Sequence, residues 1–458
     1  MIGYSGTGYK GMQIDNKQKT IEGDLFTAFV AAGAISKANA DDPKKSSLVR
    51  CARTDKGVHA AGNVISLKLI IEEEDIVEKI NSHLSEQIRV WGIQRTTGSF
   101  SCYQACDSRW YEYLIPTHAF LPPHPSSFLG KKLEEYAEKE GDMDAYRARQ
   151  AEVANFWPET EEKYIKPILD SLDDSIRPLV QDALYTQDSV DAPPGDPLID
   201  ASIDTAGTEP APPKEEAAEE TAKPDAGEPM NVDKPEDEVK DMVDAIQQQE
   251  PNLTLDSETD GSVPLPSKTV HVSPLEEAVK ALKAAYLSAK KSYRISPERQ
   301  ARVQAALNNY LGTRKYHNYT VQKKFSDKSA QRYIKSFKVA PKPIIINDTE
   351  WLSLKVHGQS FMMHQIRKMV GMVALTVRCG SNPDIMIESF GNTIVRIPKA
   401  PGLGLLLERP VFDSYNEKSA KQAGREKVDF NKYNDKIEEF KEREIYQRIF
   451  REEAQGNQ

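Results

Sequence analysis

Alternating apolar and polar residues predict β-strands on both sides of the middle of the chain. Residues 63–69 read N-V-I-S-L-K-L, in which Ile65, Leu67 and Leu69 share one face of an extended segment. Residues 110–115 read W-Y-E-Y-L-I and alternate in the same way. Two later segments are also predicted to be strands: residues 333–339 and 351–357.

Helical segments separate these strands. Residues 20–32 and 75–84 are predicted to be helical, and residues 274–311 show helical spacing, with Pro297 in the first turn of a second helix. Residues 362–377 form a long apolar run without proline, which predicts a buried helix. Because strands and helices recur on both sides of the middle of the chain, we predict an α+β fold with two α+β halves of one domain, split by a long linker.

The middle of the chain has a different composition. Residues 187–268 are rich in Pro, Ala, Asp, Glu and Ser and contain few aromatic residues, which predicts a long disordered acidic insert. Residues 191–260 carry a charge of −17, whereas the whole chain carries −10, so the remainder carries +7. A basic remainder suits a nucleic-acid binder, although an ordinary, mildly basic surface would have the same charge.

These patterns divide the chain into four parts. Residues 1–125 form an N-terminal half, and residues 126–273 form an insert that is partly helical and then disordered. Residues 274–412 form a C-terminal half, and residues 413–458 form a helical tail. The tail has apolar residues at near-helical spacing: Tyr433, Ile437, Phe440, Ile445 and Ile449. It either docks on the core, adding basic side chains beside bound nucleic acid, or is a solvated charged helix.

The sequence shows no membrane-spanning segment and no secretory signal. No run of about 18 apolar residues occurs, so no membrane-spanning helix is predicted. Residues 1–13 lack the features of a secretory signal and resemble the end of a strand whose beginning is missing.

Four cysteines are too few for a disulfide framework and indicate a reducing compartment. Cys102 and Cys106 lack the second pair of ligands that zinc sites usually supply. The sequence therefore does not exclude a structural zinc, but nothing in it argues for one.

Residues 6–11 read G-T-G-Y-K-G and match the G-x-G-x-x-G pattern of dinucleotide-binding turns. That fingerprint also needs an acidic residue about 20 positions later, and residues 30–35 contain none. The following helix is predicted to begin only near Thr20. A nucleotide-binding oxidoreductase is therefore disfavoured, and we interpret the segment as a glycine-rich turn that lets the backbone approach a partner.

A short charged segment surrounds Asp55. Residues 50–60 read R-C-A-R-T-D-K-G-V-H-A, which places Arg53, Lys56 and His59 close to the aspartate. Positive neighbours favour the ionised form of a carboxylate. Glycine in the next turn permits a tight bend that would present Asp55 at a cleft. An aspartate that only caps a turn would show the same local pattern.

This segment resembles the G-R-T-D-x-G-V-H-A signature of the TruA family of tRNA pseudouridine synthases, with Ala52 in place of the usual glycine. Five further segments resemble that family in its own order: residues 3–13, 106–117, 312–320, 361–371 and 400–405. The resemblance covers residues 1–117 and 300–412. It implies that the α+β fold consists of two pseudo-related α/β halves whose antiparallel sheets join around a basic central cleft, and that the protein is an enzyme that acts on RNA.

The resemblance implies a role for each matching residue. Asp55 would be the nucleophile that attacks a flipped-out uridine, either at the uracil ring or at the ribose anomeric carbon. Arg367, inside an apolar helix, would pair with Asp55, although an arginine that snorkels to the surface would look the same. Tyr111 would stack on the target base and assist proton transfer, although it also fits a core aromatic, as do Trp110 and Tyr113.

The same resemblance implies that basic side chains beside the nucleophile contact the substrate. Arg53 would hold the base or its vacated place, and Lys56 and His59 would bind RNA. The implied reaction needs no metal, redox group or nucleotide cofactor. The implied substrate is tRNA, with mRNA and snRNA as further candidates, and the implied location is the nucleus, with a mitochondrial pool. The alternative is a catalytically inactive RNA-binding protein of the same fold, against which the intact set of site residues argues.

Overall fold

Strands from both parts of the chain pair in one mixed sheet. The structure, a computed structural model, describes residues 1–15, 17–180 and 273–456. The insert predicted at residues 187–268 lies outside the described residues. The strands are β1 (Ile2–Tyr4), β2 (Val49–Arg50), β3 (His59–Asn63), β4 (Ile65–Ser66), β5 (Ile88–Val90), β6 (Ser108–Pro116), β7 (Gly312–Lys315), β8 (Gln331–Val339), β9 (Ile344–Ile346), β10 (Thr349–Gly358) and β11 (Leu405–Val411).

The last strand of the sheet lies between two strands of the N-terminal part. The order is β5-β1-β3-β11-β6-β10-β8-β7, with β9 paired to β10, and β2 and β4 form a separate pair. Throughout the described ranges the strand pairs are antiparallel except β3 and β11, which run parallel. We predicted antiparallel sheets that join, so the parallel insertion of β11 is a correction. Leu405, Leu406 and Leu407 are all buried, as expected of a strand that is covered on both faces.

The strand predicted at residues 63–69 is displaced in the structure. β3 ends at Asn63, and the next strand covers only Ile65–Ser66. The Asn63 side chain accepts a hydrogen bond from the Val64 N–H at 2.8 Å and donates one to the Ala52 carbonyl at 3.0 Å. These bonds end β3 at Asn63 and interrupt the extended segment before the next strand.

The predicted helices are present within a few residues of their expected bounds. The α-helices are Ile21–Ala31, Ile76–Ser82, Phe128–Lys139, Met143–Gln150, Phe156–Thr160, Lys166–Asp170, Pro274–Ser292, Pro297–Asn308, Gln365–Arg378, Asp384–Glu388, Asp413–Tyr415, Asn434–Phe440 and Gln447–Gly456. Short 3₁₀ or π turns are Lys37–Asn39, Pro43–Ser46, Thr117–Phe120, Ala151–Val153, Glu161–Ile165, His317–Tyr319, Lys328–Ala330, Asn416–Ala420, Phe430–Tyr433 and Lys441–Tyr446. The segment at 274–311 forms two helices because Ser296 caps the second one, accepting a hydrogen bond from the Arg299 N–H at 3.1 Å.

Consecutive residues of β6 enter two different cores, because strand side chains alternate between the faces of a sheet. Tyr111 and Tyr113 pack in the core that contains apolar residues of helices Pro297–Asn308 and Gln365–Arg378. Leu114 belongs to a second core, which includes residues of the C-terminal tail. The β6 strand therefore separates a helix-covered layer from a tail-covered layer.

The C-terminal tail is docked on the second core. Phe440 meets Trp91 edge-on, with ring centroids 5.2 Å apart, and Phe450 lies 5.0 Å from Trp351 by the same measure. Of the two interpretations left open by the sequence, the structure shows that the tail docks, while the placement of its basic side chains beside bound nucleic acid stays a prediction. Its packing residues cover the sheet face opposite to Tyr111.

Candidate active site

The loop between β2 and β3 carries Asp55 on a tight turn. Gly57 has a φ of +75°, in the left-handed region that glycine adopts without steric cost. The Val58 N–H donates a hydrogen bond to the Asp55 carbonyl at 3.1 Å and closes the turn. The Asp55 side chain remains 36% exposed, so its carboxylate is accessible from outside the loop.

The glycine-rich turn at residues 6–11 packs against this loop. A Cβ on Gly6 would lie 2.2 Å from the Val58 carbonyl oxygen, closer than real Cβ atoms approach. Further along, the Met12 N–H donates a hydrogen bond to the Thr54 carbonyl at 3.2 Å. The glycine-rich turn therefore serves the close backbone approach that we predicted, and the segment it approaches is the Asp55 loop of the same chain.

Buried polar contacts hold the Asp55 loop in place. The Tyr4 hydroxyl lies 2.8 Å from Thr54 Oγ1, within hydrogen-bonding distance. Burial raises the pKa of Tyr4 to about 12, so its hydroxyl stays protonated. On the preceding strand, Arg50 forms an ion pair with the buried Glu22 of the first helix. Two contacts, one at Arg50 and one at Thr54, therefore anchor the part of the loop that precedes the aspartate.

Asp55 lines a cleft of about 820 Å³, a size typical of small-molecule sites. The polar and aromatic side chains of the cleft include Arg53, Asp55, Arg109, Tyr111, Arg332, Phe361 and His364. Of the predicted site residues, the structure brings together Arg53, Asp55 and Tyr111 in this cleft. An accessible carboxylate, three guanidinium groups and the rings of Tyr103, Tyr111 and Phe361 therefore face one space.

Tyr111 is fixed within the sheet beside the cleft. It is paired with Val356 of β10 on one side and with Leu407 of β11 on the other. Its ring meets Phe361 edge-to-face at 5.2 Å between centroids, a favoured aromatic geometry. Burial raises the pKa of the Tyr111 hydroxyl well above its usual value, so the group is a neutral donor.

His364 is the side chain that contacts the Asp55 carboxylate. Its Nδ1 lies 3.1 Å from Asp55 Oδ2. His364 precedes helix Gln365–Arg378 and has a φ of +59°, an uncommon conformation for a residue other than glycine. Burial lowers the pKa of His364; Asp55 opposes this shift, and Lys399 and Arg367 add to it. The imidazole is therefore neutral at neutral pH.

Arg367 does not pair with Asp55 as predicted. Within the described part of the chain, the side chain within hydrogen-bonding distance of the Asp55 carboxylate is His364. Arg367 is buried, and its Nε donates a hydrogen bond to the Ala400 carbonyl at 2.7 Å. A buried guanidinium needs hydrogen-bond acceptors, and here a backbone carbonyl supplies one. The arginine thus ties its helix to the turn at residues 400–405.

The predicted RNA contact of His59 also needs correction, because this side chain is fully buried. Its Nδ1 accepts a hydrogen bond from the Gly6 N–H at 3.2 Å and lies 3.2 Å from Ser5 Oγ. Burial lowers the pKa of His59 to about 4, so the ring is neutral. The sequence did not reveal that β3 lies inside the sheet, between β1 and β11. Arg53 and Lys56, by contrast, are exposed.

Sequence reasoning missed three residues of the cleft. Arg109 bridges β6 and the Asp55 loop, since its Nη2 donates a hydrogen bond to the Cys51 carbonyl at 2.9 Å. Arg332 enters the cleft from β8. Arg109 had a usable signal, because it lies two residues before Tyr111 and shares its strand face. The signal for His364 was its place at the start of a predicted buried helix.

The part of the chain that the structure describes contains no candidate metal centre. Among the described residues, no group of three or more His, Cys, Asp or Glu side chains is arranged to hold a metal ion. The four cysteines are free thiols. In the same ranges, no helix is both long and apolar enough to cross a membrane.

The fold and the cleft define a mixed α/β protein with an accessible aspartate among arginines and aromatic rings. A family model described as tRNA pseudouridine synthase matches residues 306–413. tRNA pseudouridine synthase 1 of Yarrowia lipolytica is 45% identical over 455 residues, covering 99% of this chain and 70% of the relative. The corresponding protein of Schizosaccharomyces pombe is 42% identical over 457 residues, covering 99% of this chain and 80% of the relative.

A further relative carries a different name. The tRNA pseudouridine(27/28) synthase of Saccharomyces cerevisiae is 32% identical over 422 residues, covering 91% of this chain and 85% of the relative. Identities of this size over nearly the whole chain confirm the resemblance seen in the sequence motifs. This chain belongs to the tRNA pseudouridine synthase family.

Proposed function

We propose that this protein isomerises uridines in tRNA to pseudouridine, with Asp55 as the nucleophile. The observation that carries the proposal is the exposed Asp55 carboxylate in a cleft shared with Arg53 and Tyr111. Carboxylates act as covalent nucleophiles when the fold holds them at the reacting atom. The relatives, which share most of their length with this chain, are named for the same reaction on tRNA.

The reaction begins when the target uridine leaves its stack, which costs a few kcal/mol. Asp55 then attacks the uracil ring or the ribose C1′, the glycosidic bond breaks, the ring rotates, and C5 joins C1′. Tyr111 contacts the base in the cleft, where base–aromatic stacking contributes about 1–3 kcal/mol. Arg53 holds the base or its vacated place, and the exposed Lys56 contacts a phosphate.

The finer architecture is part of the proposal. Residues 1–125 and 274–412 act as two pseudo-related halves around the cleft. What supports this is the central pairing of β6, from the first half, with β10, from the second. Arg367 supports the site by holding the turn at 400–405 through Ala400.

The chemistry, substrates and location follow from the same proposal. The isomerisation neither gains nor loses electrons overall, so the reaction requires no redox group, and it transfers no phosphate from a nucleotide. We propose tRNA as the main substrate, with mRNA and snRNA as additional ones. We also propose a nuclear location with a mitochondrial pool.

A catalytically inactive RNA-binding protein of the same fold is the second candidate. The basic cleft alone would suit such a protein, since arginines bind phosphate and bases without any chemistry. The accessible Asp55 is the feature that an RNA-binding cleft does not need, because a carboxylate repels phosphate. That residue therefore favours the enzyme.

The test is to incubate the purified protein with tRNA and to measure pseudouridine by mass spectrometry. Asp55→Asn should abolish product formation while leaving tRNA binding largely intact, because the amide is not a nucleophile. Asp144→Asn, a change at an exposed aspartate of helix Met143–Gln150, is the matched control and should stay active. Substantial turnover by Asp55→Asn would show that the nucleophile is wrong. Wild-type protein that binds tRNA without making pseudouridine would favour the inactive RNA-binding protein.

A further inference from the structure

The contact between His364 and Asp55 has a geometry that suits proton transfer. His364 Nδ1 lies 3.1 Å from Asp55 Oδ2. A carboxylate only accepts hydrogen bonds, so in the neutral imidazole Nδ1 carries the hydrogen and Nε2 carries the free lone pair. A carboxylate orients a histidine in the same way in Ser-His-Asp enzymes, where the imidazole is the base.

The surroundings of His364 favour the form that can accept a proton. Its side chain is only 14% exposed, and it lines the cleft. Burial lowers the pKa of the imidazole; among the charged groups that face it, Lys399 and Arg367 lower the pKa further, while Asp55 raises it. The left-handed backbone at φ +59° is a strained conformation of the kind that concentrates at functional sites.

Pseudouridine formation needs a base after the new carbon–carbon bond has formed. C5 of uracil carries a hydrogen in uridine and carries C1′ in pseudouridine. The C5–H bond must therefore break, its electron pair restores the double bond between C5 and C6, and the proton leaves to a base. N1, released from C1′, takes up a proton from solvent. This balance holds whichever atom Asp55 attacks.

We propose that His364 is the catalytic base that removes the C5 proton, through its Nε2. The proposal rests on the proposed pseudouridine synthase activity. A uracil that reacts with Asp55 lies next to His364, because only 3.1 Å separates the two side chains. The imidazolium then returns its proton to solvent when the product leaves, and the neutral base is restored for the next cycle.

The first test uses tRNA whose uridines carry deuterium at C5. His364→Asn suits the left-handed backbone and keeps a hydrogen-bond donor for Asp55. Its turnover should fall about 10²–10⁴-fold, the usual contribution of a general base. Its deuterium isotope effect should exceed that of the wild type, because proton removal becomes rate-limiting. His83→Asn, a change at an exposed histidine after helix Ile76–Ser82, should change neither quantity.

The second test separates proton removal from the placement of Asp55. In tRNA that contains 5-fluorouridine, C5 carries fluorine and has no proton to lose. His364→Asn should therefore attack and rearrange this tRNA as fast as the wild type. His364→Gly, whose backbone suits φ +59°, should regain part of its turnover on ordinary tRNA when imidazole is added.

Two results would overturn the proposal. One is a turnover and an isotope effect in His364→Asn that match those of the wild type. The other is an equal loss of reaction on the fluorinated and the ordinary tRNA, which would make His364 a residue that only positions Asp55. Pseudouridine formation by the wild type on unlabelled tRNA tests the proposed function separately, so the two failures are distinguishable.

Discussion

The Tyr446 hydroxyl of the tail donates a hydrogen bond to the Glu112 carboxylate at 2.6 Å, and Glu112 is the residue next to Tyr111 in β6. Lys441 of the tail lies 3.7 Å from Glu112 and donates to Glu408 at 2.8 Å. The tail is thus bonded to the strand that lines the cleft, from the opposite face of the sheet. We therefore expect a loss of these contacts to lower the stability of the protein and to leave its RNA binding unchanged.

Tyr446→Phe should destabilise the protein without weakening its binding to tRNA. The change removes a hydrogen bond to a buried carboxylate, and such bonds contribute about 1.5–3 kcal/mol. Urea unfolding measures the loss of free energy, and fluorescence anisotropy measures tRNA affinity. Tyr136→Phe, at an exposed tyrosine of helix Phe128–Lys139, is the control and should change neither. Equal stability of the Tyr446 and Tyr136 variants would contradict the prediction.

The carboxyl groups of Glu112 and Glu408 titrate together around Lys441. Burial, with Glu112 as a neighbour, raises the pKa of Glu408 to about 7. Although burial opposes it, the charge of Lys441 holds the pKa of Glu112 at about 2. The ordinary pKa of a glutamate is 4.5, so the pKa of Glu408 is raised and that of Glu112 is lowered. The Glu408 contribution to stability is therefore present below pH 4.5 and is lost as the pH rises to about 7, whereas that of Glu112 is lost as the pH falls below 4.5.

Glu408→Gln should accordingly change how stability depends on pH. Between about pH 5 and about pH 7.5 the wild type should lose more unfolding free energy than the variant, because the amide does not ionise. Urea unfolding at both pH values gives the difference. Glu134→Gln, at an exposed glutamate of helix Phe128–Lys139, should behave like the wild type. Parallel pH curves for the Glu408 variant and the wild type would mean that Glu408 does not hold this proton.

Two glycines of the N-terminal turn make a matched pair. Gly6→Ala should displace the Asp55 loop, because the new Cβ would lie 2.2 Å from the Val58 carbonyl oxygen, and activity should be lost. At Gly8, with φ +81°, a Cβ would meet no heavy atom of the described residues within 4 Å. Gly8→Ala should therefore cost only about 1–2 kcal/mol of backbone strain and stay active. Similar activity of the two variants in the pseudouridine assay would argue against a support role for Gly6.

Replacing residues 191–260 by an uncharged Gly-Ser segment of the same length should tighten non-specific RNA binding. The replacement removes a charge of −17, which repels phosphate at low salt. The gain should shrink above about 0.1 M salt, where the screening length is about 10 Å. Anisotropy titrations with an unstructured RNA at several salt concentrations measure this effect. Weaker binding by the replaced protein, at any salt concentration, would count against the prediction.

Local sequence patterns predicted the parts of the molecule that depend on near neighbours. The apolar run at 362–377 became helix Gln365–Arg378, and Gly57 closes the turn at Asp55 as expected. These features depend on periodicity and backbone freedom, which a short segment contains. Because a short segment contains this information, the sequence alone predicts the helix and the turn beside the cleft.

Contacts between distant segments could not be predicted in this way. His364 and Asp55 are separated by 309 positions, and no local pattern records that they meet. The resemblance implies that His59 binds RNA, but the strand order buries this side chain. Arg367 was expected at Asp55, but its nearest acceptor is a carbonyl of the turn at 400–405. Each of these differences depends on which distant segments of the chain pack against each other.

The position of β11 between β3 and β6 has a consequence for synthesis of the protein on the ribosome. β3 and β6 are complete by residue 116, but the strand that joins them is complete only at residue 411. The edges of β3 and β6 that pair with β11 therefore stay unpaired until nearly three hundred further residues have been synthesised. Pairing over such sequence distances is slow and leaves strand edges open to aggregation. A nascent chain released before β11 cannot complete the sheet around Tyr111, so premature termination gives a product in which the cleft around Asp55 is incomplete.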